Sequence, residues 1–518
     1  MKKRWYLLLP IVAVTLSGCS FLKRLIFGEE TTSEPIHYAY PDPVIEDDIE
    51  GRKIYSEFPY DIGDVLDTTG VKAFPSTGNQ KLLVVPVELT GSAYRWTNDD
   101  RNDIRKCFFG ATEEVGWESV SSYYKKSSYG KLNIGGQLSP TFFSSYTKPQ
   151  LDLEEQPDQK IVKEFESSEL YNDLRKEYDT NDDGYIDSVA FIYRERIEVD
   201  PSSKDMRWWA FVYSNSSSAN VDKPTVNQYM WASYYFCQVA DKISNPHGGA
   251  YNLDAHTYIH ESGHLLGLDD YYSYEDNNYY DPSGGQEMHS QNIGDENIFS
   301  KLLLGWVDPY YVKTTGSVTT TLYSSSYDSN SEHPGRGKAI IINDNWNGNP
   351  LDEYLILEYY SPTVLNEKDS KEDYAVNARM FTTSGFRLYH VDARLVGYTK
   401  EANPAFAKRL NELDPNYFNF IGASNTPNQR YSRLKDINEI NNYKLLHLMQ
   451  AGGVNTFKRD GKKANNADLF MEGSSFEASY SFFYRGTKFN AGNEVGYRIT
   501  FGKCDAENMC GTVTITKI

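Results

Sequence analysis

Residues 260–270 run His260-Glu261-Ser262-Gly263-His264-Leu265-Leu266-Gly267-Leu268-Asp269-Asp270. Histidines four apart on a helix share one face, so His260 and His264 can reach one cation. Glu261 is offset from that pair, so it can face a metal-bound water and take its proton. Gly267 can adopt a positive φ, which ends the helix and turns the chain. The turn brings back Asp270 as a third ligand. Three protein ligands leave the fourth position of a zinc ion for water, as hydrolysis requires. Two neighbours offer other readings. His256 lies one turn earlier on the same face and is read as support for a ligand, because the acid follows His260. Glu296, on a later helix, is the alternative third ligand, against which the Gly267 and Asp270 pair argues.

A second stretch has oxygen donors at the spacing of a calcium loop. Asp179, Asn181, Asp183 and Asp187 stand at its positions 1, 3, 5 and 9, Tyr185 offers a backbone carbonyl, and Gly184 permits the sharp turn. Ala190 replaces the bidentate Glu of an EF-hand, so a calcium ion here needs ligands from elsewhere. The competing reading is an Asx-rich turn leading into a strand.

Both stretches need elements to hold them. Residues 254–266 form an apolar helix, with Asp254 as N-cap and Gly267 as stop. Lys81–Leu89, Ser188–Tyr193, Trp208–Tyr213 and Tyr229–Phe236 are buried strands, Val115–Tyr129 is a helix ending at Gly130, and Asn297–Leu304 is another helix. From about Gly316 short β-rich runs recur: Val318–Tyr323, Lys338–Ile342, Tyr354–Tyr360, Phe386–Val391, Lys444–Met449, Tyr497–Phe501 and Thr512–Ile518. The expected class is α+β. A domain over 76–315, with a twisted mixed sheet and the site helix, precedes a mainly β, sandwich-like domain over 316–518. His390 and Asp392, two apart on a strand, face one side as a structural pair.

The N-terminus is an address. Lys2, Lys3 and Arg4 precede an apolar run ending in Leu16-Ser17-Gly18-Cys19. That run is too short to span a bilayer and suits a signal peptide over 1–18. Its last four residues resemble the bacterial lipobox, which implies a lipid on Cys19 and an extracytoplasmic, membrane-anchored protein. Residues 19–75 are expected as a tether, with a pro-segment in which Asp61 or Asp64 blocks the metal as one reading of 58–64. The chain carries 52 basic and 72 acidic residues among 518, a net charge of −20, which excludes a basic nucleic-acid-binding face. A monomer is expected. Outside the cell Cys107, Cys237, Cys504 and Cys510 could pair, Cys504 with Cys510 and Cys107 with Cys237, or stay as free thiols.

The site segment resembles the metzincin metallopeptidases, in the variant whose third ligand is Asp. The likeness narrows to the immune inhibitor A family of secreted bacterial peptidases, through KLLVVPVEL, through Ser119–Ile134, through Met288–Trp306 (MHSQNIGDENIFSKLLLGW), through Gly385–Leu395 and through Leu445–Gly453. It covers about residues 80–475. The resemblance implies two subdomains with a substrate cleft above the zinc, and Met288 as the Met-turn residue beneath the metal. His289 departs from the aliphatic or Met residue expected after it, and could be a stray ligand. Tyr271, Tyr272, Tyr274, Tyr279 and Tyr280 suit loop packing, cleft lining or an oxyanion donor. The expected function is a lipid-anchored, extracytoplasmic zinc endopeptidase acting on proteins or peptides, with calcium as a second ion. The alternative is a non-catalytic, adhesin-like surface binding protein on the same scaffold, against which Glu261 weighs.

Overall fold

The computed structural model describes residues 44–56, 60–67, 70–197, 207–238, 253–272, 281–327, 332–372, 379–398, 404–406, 418–420, 444–453, 463–483 and 485–518. The expected signal segment over 1–18 and Cys19 lie outside the described residues. Among the described residues no helix is long and apolar enough to cross a membrane.

The chain is α+β, and its described strands form four sheets. A hairpin of β1 (Val44–Ile49) and β2 (Arg52–Ser56) begins the described part. The first large sheet follows the order β4-β3-β6-β8-β7. These strands are β3 (Gly78–Leu89), β4 (Leu132–Leu138), β6 (Val189–Tyr193), β7 (Phe211–Ser214) and β8 (Gln228–Ser233), with the short β5 (Phe142–Ser144) also pairing β3. All its pairs are parallel except β7 on β8, where β7 runs antiparallel at the sheet edge. β3, β6 and β8 have near-continuous apolar runs because both faces are covered. The pleat sorts them with a period of two. Even-numbered Leu82, Val84, Ala190, Ile192, Met230 and Ala232 join the core of the site helix, His256–Leu265, with its Tyr258, Ile259 and Leu265. Odd-numbered Leu83, Val85, Phe191 and Trp231 pack with Ile161, Val162 and Phe165 of the helix Pro157–Ser167.

A seven-stranded sheet forms the next layer, in the order β1-β2-β9-β11-β12-β13-β17. Its later strands are β9 (Asp308–Val312), β11 (Arg336–Ile342), β12 (Glu353–Tyr360), β13 (Gly385–Asp392) and β17 (Leu446–Met449). It too is apolar on both faces. Ile341, Ile356, Tyr389 and Val391 share the core of the site helix. Ile340, Ile342, Leu355, Leu357 and Leu388 face a four-stranded sheet of β10 (Ser317–Tyr323), β18 (Ser475–Glu477), β19 (Tyr497–Asp505) and β20 (Cys510–Lys517), which contributes Leu322, Ile499, Phe501, Val513 and Ile515. This is sheet-on-sheet packing. One core runs from the site helix into the seven-stranded sheet, across the change of texture near residue 316.

Three local expectations change. The helix expected over Val115–Tyr129 is two pieces, because Gly116 at φ 80° ends Thr112–Val115 and Ser119 then caps Val120–Ser127. Tyr229–Phe236 is strand only to Ser233, whose hydroxyl accepts the Tyr235 amide at 3.2 Å and starts a 3-10 turn. Residues 44–56, 60–67 and 70–75, read in sequence as tether, belong to the folded body. β2 pairs β9, and Ile62, Val65 and Phe74 are buried in the main core. Phe74 also donates its amide to the Leu265 carbonyl of the site helix at 2.8 Å, so distant segments cover these residues. Asp61 accepts the Ser76 hydroxyl at 2.6 Å and the Gly63 amide at 2.8 Å, while Asp64 is exposed.

Candidate metal centre

The site helix ends in a Schellman turn. The amide of Gly267 reaches the His264 carbonyl at 3.0 Å, and that of Leu268 reaches the Gly263 carbonyl at 3.0 Å. Gly267 sits at φ 98°, and a Cβ there would also meet Leu66 Cδ1 at 2.8 Å. The turn has two products. It delivers the Leu268 carbonyl to His264 Nδ1 at 2.9 Å, and it carries Asp270 back over the helix.

His260 Nδ1 is held by the Met288 carbonyl at 3.0 Å. A carbonyl only accepts, so both rings carry hydrogen on Nδ1 and turn Nε2 the other way. The two Nε2 atoms are 3.1 Å apart, and they lie 3.0 Å (His260) and 3.4 Å (His264) from Asp270 Oδ1. Ligand atoms around a four-coordinate ion at about 2.0–2.1 Å are roughly 3.3–3.4 Å apart, so this triangle fits such an ion. Without an ion, a proton must fill it. Burial is the largest single influence and opposes charge on His264, but Asp270, Glu261 and the Leu268 carbonyl together raise it to about 10. Burial would raise Asp270, yet His264 and His260 hold it well below the usual carboxylate range.

Glu261 is buried beside this triangle, and its Oε2 has no hydrogen-bond partner. Burial raises its pKa, although His260 and His264 pull the other way. A buried carboxylate oxygen without a donor fits a site that receives a water or substrate.

His289 joins His260, His264 and Asp270 in a buried group able to hold a metal ion, with ligand atoms all within 4.8 Å of one another. Its ring lies 4.8 Å from that of His260 and 5.0 Å from that of His264, centroid to centroid. Its Nε2 occupies the space beneath Gly263, 2.0 Å from where a Cβ would stand, and lies 3.5 Å from Glu296 Oε1. Gly263 is therefore the residue that lets this ring approach the helix. Burial first, then His260 and His264, hold His289 well below its ordinary pKa. Glu296 is not in the four-residue group, and burial with Asp295 beside it raises it to about 8. Met288 is fully buried and contributes its carbonyl to His260.

His256 stays outside the metal group. Its Nδ1 meets Asp254 at 2.6 Å and its Nε2 meets Asp369 at 3.4 Å, and it stacks on Trp117 at 4.0 Å. Burial works against its charge, but the two carboxylates raise it to about 10. It ties the start of the site helix to two distant segments. Trp117 and Asp369 had no sequence signal, since only the tertiary fold brings them to His256. Tyr271 is buried with its hydroxyl 2.8 Å from Ser300 Oγ; Tyr274, Tyr279 and Tyr280 lie outside the described residues.

The loop 179–187 is folded on its own amides. Asp179 accepts from Asp183 and Gly184 at 3.0 Å each, Asp183 from Tyr185 at 3.0 Å, and Asp187 from Thr180 at 3.2 Å. Lys72 approaches Asp183 at 3.7 Å. Among the described residues its carboxylates do not form a metal-binding group like that of the four site residues. His390 is a structural residue, bonded to Glu353 at 2.8 Å, while Asp392 pairs with Arg394 at 2.7 Å.

No protein-family model matches the chain, and no curated protein shows significant similarity to it.

Proposed function

We propose that the chain is a zinc-dependent endopeptidase, anchored through a lipid on Cys19 to the outer face of a bacterial membrane. The observation that carries the peptidase reading is the triangle of His260 Nε2, His264 Nε2 and Asp270 Oδ1 beside an unpartnered Glu261 oxygen. Of the four grouped side chains, His260, His264 and Asp270 would hold the ion, and with His289 left off the metal one position stays open. When bound, zinc supplies a Lewis acid that acidifies water and polarises a carbonyl. Glu261 Oε2 takes the proton of a water lying against it, then delivers that proton to the departing amine nitrogen. The Met288 and Leu268 carbonyls fix both imidazoles so that neither turns away. A peptide substrate suits the surroundings. Among the described residues β7 is the last strand of its sheet, runs antiparallel and contacts the site helix, so an extended peptide can pair along its outer edge. The test is metal analysis of the purified full chain with casein as substrate. One zinc per chain is expected, with cleavage lost to 1,10-phenanthroline and restored by added zinc. A chain without bound zinc and without cleavage would overturn the reading.

Calcium at 179–187 is a second part of the proposal. Asp179 gathers the Gly184 amide, as the first residue of a calcium loop does, and Asp183 and Asp187 stand in the same turn. Millimolar calcium is expected to raise the thermal midpoint of the wild type and leave Asp183→Ala unmoved. An equal response from both proteins would retire the site.

A further inference from the structure

The four cysteines beyond Cys19 fall into two pairs with opposite geometry. Cys504 lies opposite Gly511 in the β19–β20 ladder, and Cys510 lies opposite Asp505. Successive residues on a strand point to opposite faces, and residues directly opposite share a face. Cys504 and Cys510 therefore point to different sides of the sheet and cannot bond, although they flank a short turn.

Cys107 and Cys237 are far apart in sequence but meet in the core. Cys107 sits in the helix Asn98–Phe109, and Cys237 ends the turn Tyr234–Cys237 that leaves β8. Both are fully buried. Both touch Asp254, the residue before the first turn of the site helix. Cys107 Sγ is 3.8 Å from the Asp254 carbonyl, and the Cys237 carbonyl accepts the Asp254 amide at 3.2 Å. The two side chains are also in hydrogen-bond contact with each other, and burial with this contact raises the Cys107 thiol well above its ordinary pKa. A thiol is a weak donor and a weak acceptor, so the contact gains little while both groups stay reduced.

We infer that Cys107 and Cys237 form a disulfide in the exported protein, and that Cys504 and Cys510 remain thiols. The oxidant is a disulfide of the exterior or of the export machinery. A thiolate of the pair attacks it and releases one external thiol; the second cysteine then attacks the mixed disulfide and releases the other. One Sγ–Sγ bond forms, two protons leave, and the external disulfide is reduced to two thiols. The bridge closes the chain over 107–237, which contains most of the first large sheet, and pins the segment that starts the site helix. The inference rests on the proposed export of the chain and not on its peptidase activity.

The experiment uses the full chain, solubilised from membranes of an exporting bacterial host. Free thiols are blocked with N-ethylmaleimide in denaturant, and the protein is digested without reduction and mapped by mass. The expected result is one linked peptide pair containing Cys107 and Cys237, with Cys504 and Cys510 alkylated. Alkylation of Cys107 and Cys237 would overturn the inference. So would a link between Cys504 and Cys510.

Discussion

Glu261→Gln should retain one zinc per chain and lose peptidase activity by about 10² to 10⁴-fold, the usual worth of a general base. The substitution keeps the size and burial of the side chain but replaces a basic carboxylate with a neutral amide that cannot take up a proton. Glu261 lies outside the His260, His264 and Asp270 triangle, so metal content should not change. Metal analysis and casein cleavage on the same preparation read both quantities. Loss of zinc in the variant would make Glu261 a ligand instead of a base. Unchanged cleavage would remove it from the chemistry and leave the scaffold-binding alternative in play.

Asp270→Asn should weaken zinc binding by at least about 100-fold, beyond what the loss of a supporting residue usually costs. Asparagine keeps the shape of the turn but offers no charge to the ion. The pH dependence distinguishes this from simple misfolding. In the ion-free wild type, His264 is raised from its ordinary 6.5 to about 10 by Asp270. That ion pair stabilises the chain fully below pH 6.5 and is lost as pH rises through about 10. Zinc must displace the same proton, so wild-type zinc affinity should climb steadily from pH 6.5 toward 10. In Asp270→Asn the carboxylate is gone, His264 falls back, and the climb should stop near neutrality. Competition with a chromophoric chelator across this range measures it. Parallel pH profiles for the two proteins would separate Asp270 from the metal.

Much of the metal centre was legible in residues 254–270 because its parts are local. A four-residue spacing sets two imidazoles on one helical face, and a glycine at φ 98° returns Asp270 to them. These relations depend on backbone geometry alone, so they survive any fold that keeps the helix. The buried strands were legible for a similar reason. A strand covered on both faces must be apolar at every position, as in β3, β6, β12 and β13. Where a glycine or serine redirected the chain, at Gly116 and Ser233, apolar content alone mistook the breaks for continuity.

What the sequence did not contain was long-range partnership. It could not say that residues 44–56, 60–67 and 70–75 are part of the body, because β9 and the main core provide their cover. It could not place His289 against Gly263, or Asp369 against His256. It offered Cys504 with Cys510 and Cys107 with Cys237 together, whereas the strand register turns the first two apart and the core brings only Cys107 and Cys237 to one neighbourhood. Chemistry that needs neighbours within one or two helical turns is fixed by spacing. Chemistry that needs two distant segments to touch is decided only when burial of their apolar faces selects which segments meet.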